Sequence, residues 1–143
     1  MNILVPIKVV PDLVEELAID SSGTALDTAW LRRIINEFDD HAMEQAILLK
    51  EQAGGTVTVV ALQAEGMDDI LYTAAAKGVD RVMKLEVDPD APINNHALAR
   101  ALSEVIRELK PDLVLTGVQA HDDLDGAVGP LLAEYLGMPY IGY

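Results

Sequence analysis

TVTVVALQAEGMDDILYTAAAKGVDRVMKLEV, residues 56–87, decides the fold. Its opening run, Thr56–Leu62, is almost wholly apolar and β-branched, the pattern of a strand buried on both faces. Asp68 and Asp69 then fall in the first turn of a helix carrying Ile70, Leu71, Ala74 and Ala75 at helical spacing. Lys77 and Gly78 close it, a cation and a glycine both suited to a helix C-terminus. Arg81–Val87 is a weaker, partly alternating run, which places it nearer a sheet edge. Strand, helix and strand of these lengths make a βαβ unit with parallel strands and a right-handed crossover.

The same rhythm extends in both directions. Upstream, Ile3–Val9 is another buried strand pattern, and Asp39 caps a helix with Met43, Ala46, Ile47 and Lys50 on one stripe, ended by Gly54-Gly55. Downstream, Asn94 or Asn95 opens a helix with Leu98, Ala101, Leu102, Val105 and Ile106 toward the sheet, and Pro111 stops it. Asp112–Thr116 (DLVLT) is a short strand, a helix follows from near Asp125 to Gly137 burying Val128, Leu131, Leu132 and Tyr135 or Leu136, and Tyr140–Tyr143 begins a last strand. The expected fold is a three-layer α/β domain over residues 1–143 with an open, mainly parallel, five-stranded sheet. About thirty residues separate the first strand from the first helix, long for a βα connection. Within them Leu17–Ile19 and Ala25–Asp27 flank Ser21-Ser22-Gly23, a small hairpin insertion that either elaborates a binding site or covers the sheet edge.

Composition excludes several functions. The net charge of −14 argues against a nucleic-acid partner, because that binding needs Lys and Arg to neutralise phosphates. The absence of cysteine removes disulfides, thiolate metal sites and thiol catalysis. MNILVPIKVV is apolar but too short to span a membrane and lacks the features of a signal peptide, so the chain is read as cytoplasmic.

Open parallel sheets bind ligands beyond the carboxyl ends of their strands. There the sequence reads GVQAHDDLDGAVGP, with Gly117 after the strand and Gly126 and Gly129 where the next helix begins. Glycine admits a ligand close to the backbone, and a helix start offers unpaired N–H groups with a positive dipole. Each amide bonded to a charged group contributes roughly 1.5–3 kcal/mol, enough for two or three to anchor a phosphate without a cation. The segment is neither a Walker A sequence nor a GxGxxG fingerprint, and Gly126 and Gly129 serve tight helix–sheet packing equally well.

Other candidates have plainer explanations. The pairs Asp39-Asp40, Asp68-Asp69 and Asp122-Asp123 each fall near a helix start, where negative charge is favourable, and capping explains them better than acid–base catalysis or Mg²⁺ binding. His41, His96 and His121 are scattered without metal-ligand spacing; His121 reads as a partly exposed loop residue. Trp30 and Phe38, as single aromatics, read as packing residues. No serine lies in a nucleophile elbow, and no catalytic or metal-binding constellation emerges.

Taken in order, the motifs resemble the electron-transfer flavoprotein β subunit family. VPIKVVPD (5–12) looks like the family's VxVKxVPD opening, INEFDDHAMEQAILLKE (35–51) its NPF and LKE segment, and LYTAAAKGVDRVMKLEVD (71–88) its LRxALAMGADR stretch. PDLVLTGVQAHDDLDGAVGPLLAEYLGMPYIGY (111–143) resembles its PDLxLxGxQAxDxD region, and LAIDSSGTALDT (17–28) its short hairpin. The resemblance runs in register over essentially the whole chain.

That resemblance implies a HUP-type domain that binds AMP, or FAD as in electron-bifurcating members, and pairs with an α subunit to carry electrons from a flavin dehydrogenase. It places the nucleotide against Pro6, then Asn36, Phe38 and Asp39, then Ala64, and along the loop Gly117, Gln119, Asp122, Gly126, Ala127 and Val128. It implies an electron carrier, not a catalyst, truncated relative to the family. Two departures stand out. Asn36-Glu37-Phe38 replaces Asn-Pro-Phe, and Gly126-Ala127-Val128 replaces the Asn-Gln-Thr of many AMP-binding members, leaving backbone amides and resembling the FAD-binding branch. The alternative is a stand-alone adenine-nucleotide-binding or regulatory module without electron transfer, acting as a homodimer through its last strand.

Overall fold

The computed structural model describes residues 1–88 and 93–142. In chain order the elements are β1 (Asn2–Ile7), β2 (Val9–Pro11), β3 (Arg33–Ile35), α1 (Glu37–Ala53), β4 (Thr56–Leu62), α2 (Met67–Lys77), β5 (Arg81–Leu85), α3 (Asn95–Leu109), β6 (Leu113–Val114) and α4 (Val128–Leu136). β5, β4, β1 and β6 form, in that order, one parallel four-stranded sheet. The chain builds outward from β1 through β4 to the edge strand β5, then returns to add β6 on the other flank of β1. Strand order therefore reverses between β1 and β6.

Strand alternation divides the core into two layers. Ile3, Val5, Val57 and Val59 face α1 and α2, meeting Met43, Ala46, Ile47, Leu71 and Ala74. Leu4 and Val60 face the opposite side, packed with Ala99, Leu102 and Ile106 of α3 and Leu132 of α4. Aliphatic side chains fill both layers, as a sequence with only 4% aromatics requires.

Four expectations are corrected. The sheet has four strands, not five: Tyr140–Gly142 is irregular, and Tyr143 lies outside the described residues. After Gly137 ends α4 the Tyr140 ring turns back beside the Gly129 backbone, so the chain does not run out along β6. The final helix begins at Val128 rather than near Asp125. Asp39 does not cap α1; Asn36 holds that position, and Asp39 sits inside the first turn. Trp30 and Phe38, read as packing residues, are 93% and 41% exposed.

The insertion after β1 has more structure than the hairpin alone. Ile19 and Leu26 form one antiparallel bridge around a turn with Gly23 at φ +75°, so the hairpin is present in minimal form. Around it β2 and β3 pair antiparallel as a separate two-stranded sheet, in register Val9 with Ile35 and Pro11 with Arg33. This ribbon brings Asn36 and the start of α1 back beside the end of β1.

Candidate functional site

A narrow cleft opens where the strand order reverses. Pro6, Ile7 and Lys8 at the end of β1 and Leu62 of β4 form its floor. Thr116 to Ala120, following β6, make one wall, with Asn36 and Asp39 of the α1 start beside them. Gly126 and Val128 at the start of α4, and Asn95, Leu98 and Leu102 of α3, close it. A wider outer cleft adjoins it over Gln63, Ala64, Asn94, Asp122 and Asp125, sharing Lys8, Leu62, Asn95, Leu98 and Asp123. An apolar floor with a few converging polar groups is the usual make-up of a small-molecule site.

Asp39 organises the crevice. Its carboxylate accepts the Lys8 N–H at 2.8 Å and the Gly117 N–H at 3.2 Å, tying the end of β1 to the segment after β6 through α1. Burial pushes its pKa up to about 6, against the opposing pull of those amide bonds, the Asn36 side chain and the Lys8 charge. Asn36, 3% exposed, donates its backbone N–H to the Lys8 carbonyl at 2.9 Å and its Nδ2 to the Gln119 carbonyl at 3.1 Å. His121 joins the same scaffold, its Nε2 lying 2.8 Å from the Pro11 carbonyl. It pins the loop to β2.

The glycines have specific reasons. A Cβ on Gly117 would collide with the Asp39 carboxylate and come within 2.9 Å of the Asp39 nitrogen and 3.0 Å of the Phe38 carbonyl carbon. Gly126 sits at φ +61°, in the left-handed region, with a virtual Cβ 3.1 Å from the Val118 carbonyl. Gly117 and Gly126 are thus required by the protein's own geometry at the mouth of the cleft. α4 then offers the amides of Val128 and Gly129, since Pro130 carries no N–H.

Of the residues singled out in the sequence, Pro6, Asn36, Asp39, Gly117, Gln119, Gly126 and Val128 line the main cleft together. Ala64 and Asp122 line the outer one. Phe38 and Ala127 line neither: Phe38 projects outward from α1, and Ala127 is the N-cap of α4. The sequence reading missed Lys8. Its Nζ donates to Asp122 Oδ1 at 2.7 Å and Asp123 Oδ2 at 3.0 Å. Those aspartates are therefore partners of Lys8, not caps of α4. Asn95 was also missed as a site residue; its Nδ2 donates to Asp125 at 2.9 Å, linking α3 to the loop. Lys8 stands inside the quoted VPIKVVPD motif, but its partners lie more than a hundred residues away, beyond local pattern.

Residues 25–143 match the family model described as the electron transfer flavoprotein domain. The chain is 38% identical over its whole length to the electron transfer flavoprotein subunit beta of Thermoanaerobacterium thermosaccharolyticum and 37% identical over 99% of its length to that of Bacillus subtilis. A probable electron transfer flavoprotein subunit beta of Saccharomyces cerevisiae is 33% identical over 97% of it. The chain spans about half the length of these relatives, 55%, 54% and 54%. In fold it is similar to a crystal structure of a universal stress protein family member from Burkholderia pseudomallei, with a TM-score of 0.54, 18% identity, and coverage of 99% of this chain and 94% of that one. Among the described residues no helix is long and apolar enough to cross a membrane.

Proposed function

The chain belongs to the electron transfer flavoprotein domain family, and we propose that it is a nucleotide-binding, β-subunit-type domain that holds AMP or FAD in the cleft between β1 and β6. The observation that carries this reading is the placement of that cleft at the reversal of strand order, where parallel sheets receive nucleotides. Its parts suit the ligand. Pro6, Ile7, Leu62 and Leu98 offer an apolar bed for a base, and Val128, which lines the cleft at the α4 start, offers its amide as a donor for a phosphate. On this reading the domain's role is to bind and orient the nucleotide. FAD, when bound, would supply the redox chemistry; the chain's own residues would position it and shield one face from water.

By similarity to the β subunits, the partner is an electron-transfer flavoprotein α subunit, and electrons would come from a flavin dehydrogenase. The direct experiment is nucleotide extraction from purified protein with an absorbance spectrum, followed by titration with AMP and FAD. A flavin spectrum assigns FAD, and AMP in the extract assigns AMP. A chain that carries neither and binds neither overturns the reading.

A further inference from the structure

Lys8 stands where the two clefts meet, and among the described residues it is the one cation lining either of them. Its main chain is fixed from both sides. The N–H is held by Asp39 and the carbonyl by the Asn36 amide, so only the side chain is free to choose a partner. That side chain is a flexible four-carbon stem ending in three donors. It now reaches across to Asp122 and Asp123, and the three groups are only 34%, 32% and 28% exposed. Burial works against the Lys8 charge, but the hydrogen bonds and charges of the two aspartates outweigh it and hold its pKa above the ordinary value, so the amine stays charged at neutral pH.

We propose that Lys8 is the cation that receives the nucleotide's phosphate, and that it leaves Asp122 and Asp123 to do so. The inference rests on the cleft being the nucleotide site. Gly126 and Val128, where the α4 amides begin, line the same cleft as Lys8, so a phosphate on those amides lies in the compartment Lys8 serves. A terminal phosphate such as that of AMP carries about −1.5 to −2 charges on three acceptor oxygens, against a single charge on each carboxylate, whereas the pyrophosphate of FAD offers about one charge per phosphate. Partly exposed ion pairs of the Lys8–Asp122 kind are weak, so exchanging them is inexpensive. Asp122 lines only the outer cleft, where once released it faces water. These contacts also tie the loop carrying Asp122 and Asp123 to the end of β1. The aspartates thus compete with the phosphate for one amine and reduce its affinity.

A purely structural tie predicts the opposite pattern from an exchange. If Lys8, Asp122 and Asp123 only fasten the loop, cutting the tie from either end loosens the site in the same direction. If they exchange, the two ends act with opposite signs. The experiment is calorimetric titration of wild type, Lys8→Met and Asp122→Asn with AMP, FAD and adenosine, each variant checked by circular dichroism. Loss of one charge-assisted bond predicts that Lys8→Met weakens the phosphate-bearing ligand by about tenfold or more and leaves adenosine unchanged. Asp122→Asn is expected to tighten the same ligand several-fold. An unchanged affinity in Lys8→Met, or a weakening in Asp122→Asn, overturns the exchange while wild-type binding leaves the nucleotide reading intact. Should Lys8→Met not fold, the sign of the Asp122→Asn effect alone decides. Wild-type protein that binds none of the three overturns both.

Discussion

The Asp39 carboxylate and the Gly117 amide meet at 3.2 Å across the crevice where strand order reverses, with no room between them for a side chain on residue 117. The same carboxylate takes the Lys8 amide, so one buried group holds both lips of the cleft. Lys8 is in turn the residue whose side chain reaches the far wall. The geometry of any ligand site here depends on that joint.

Gly117→Ala places a methyl group against the Asp39 carboxylate and the backbone of residues 38 and 39, which belong to a helix and cannot yield cheaply. Overpacking of this kind costs about 1–3 kcal/mol. Urea unfolding should show a loss of that size, and nucleotide affinity should fall with it because the lips of the cleft move.

The buried Asp39 carboxyl titrates at about 6 in the folded protein against an ordinary value of 3.8. Folded protein therefore holds this proton more tightly than unfolded chain does. The resulting stabilisation is fully present below pH 3.8 and is lost as pH rises through about 6, amounting to roughly 2–3 kcal/mol. Asp80 and Asp123, whose pKa values are lowered, act in the opposite sense, so the signal is in a difference. Wild-type stability minus that of Asp39→Asn should decrease between pH 4 and pH 7. A difference independent of pH would contradict it.

Asp80 ties the start of β4 at the amino ends of the strands, opposite the cleft. Its Oδ2 accepts the buried Val57 amide at 2.8 Å, and it also pairs with Lys50 at 3.1 Å. Asp80→Ala leaves the Val57 N–H without that acceptor, at a cost of about 1–3 kcal/mol. Thermal unfolding should register the loss with no change in nucleotide affinity, separating stability from binding.

Gly126 has two jobs that substitution can tell apart. Any side chain there pays the left-handed penalty, roughly 1–2 kcal/mol, and sets a Cβ 3.1 Å from the Val118 carbonyl. Both Gly126→Ala and Gly126→Asp should therefore destabilise the protein, Asp somewhat less than Ala because its short polar side chain tolerates the left-handed region better. Only Gly126→Asp also brings negative charge to the proposed phosphate position, and its affinity should drop well below that of Gly126→Ala. Equal affinities would place the phosphate elsewhere.

The α/β architecture was legible because each strand and helix carries its own pattern. Thr56–Leu62 had to be a central strand, and Arg81–Leu85 lies at the edge as its partial alternation implied. Tyr140–Gly142 failed as a strand because its direction is set by how α4 ends at Gly137 and by the packing of the Tyr140 ring, neither of which is local. Seven of the residues that the family resemblance pointed to line one cleft, while its other lining residues, Lys8 and Asn95 among them, were not singled out. The Asp pairs misled, since a carboxylate near a helix start reads as a cap whether it caps, as none of Asp39, Asp122 and Asp123 does, or bonds across the fold. Lys8 was invisible as a site residue for the same reason: its partners come from the other end of the chain.

The central claim is that a nucleotide lies in the crevice between β1 and β6. Titrating AMP, then FAD, into ¹⁵N-labelled protein and following the backbone amides tests it most directly. The expected result is saturable shifts concentrated at Lys8, Gly117, Gly126, Val128 and Gly129, with the amides of β5 and the C-terminal half of α2 unmoved. Shifts centred on another surface, or none with either nucleotide, would contradict it.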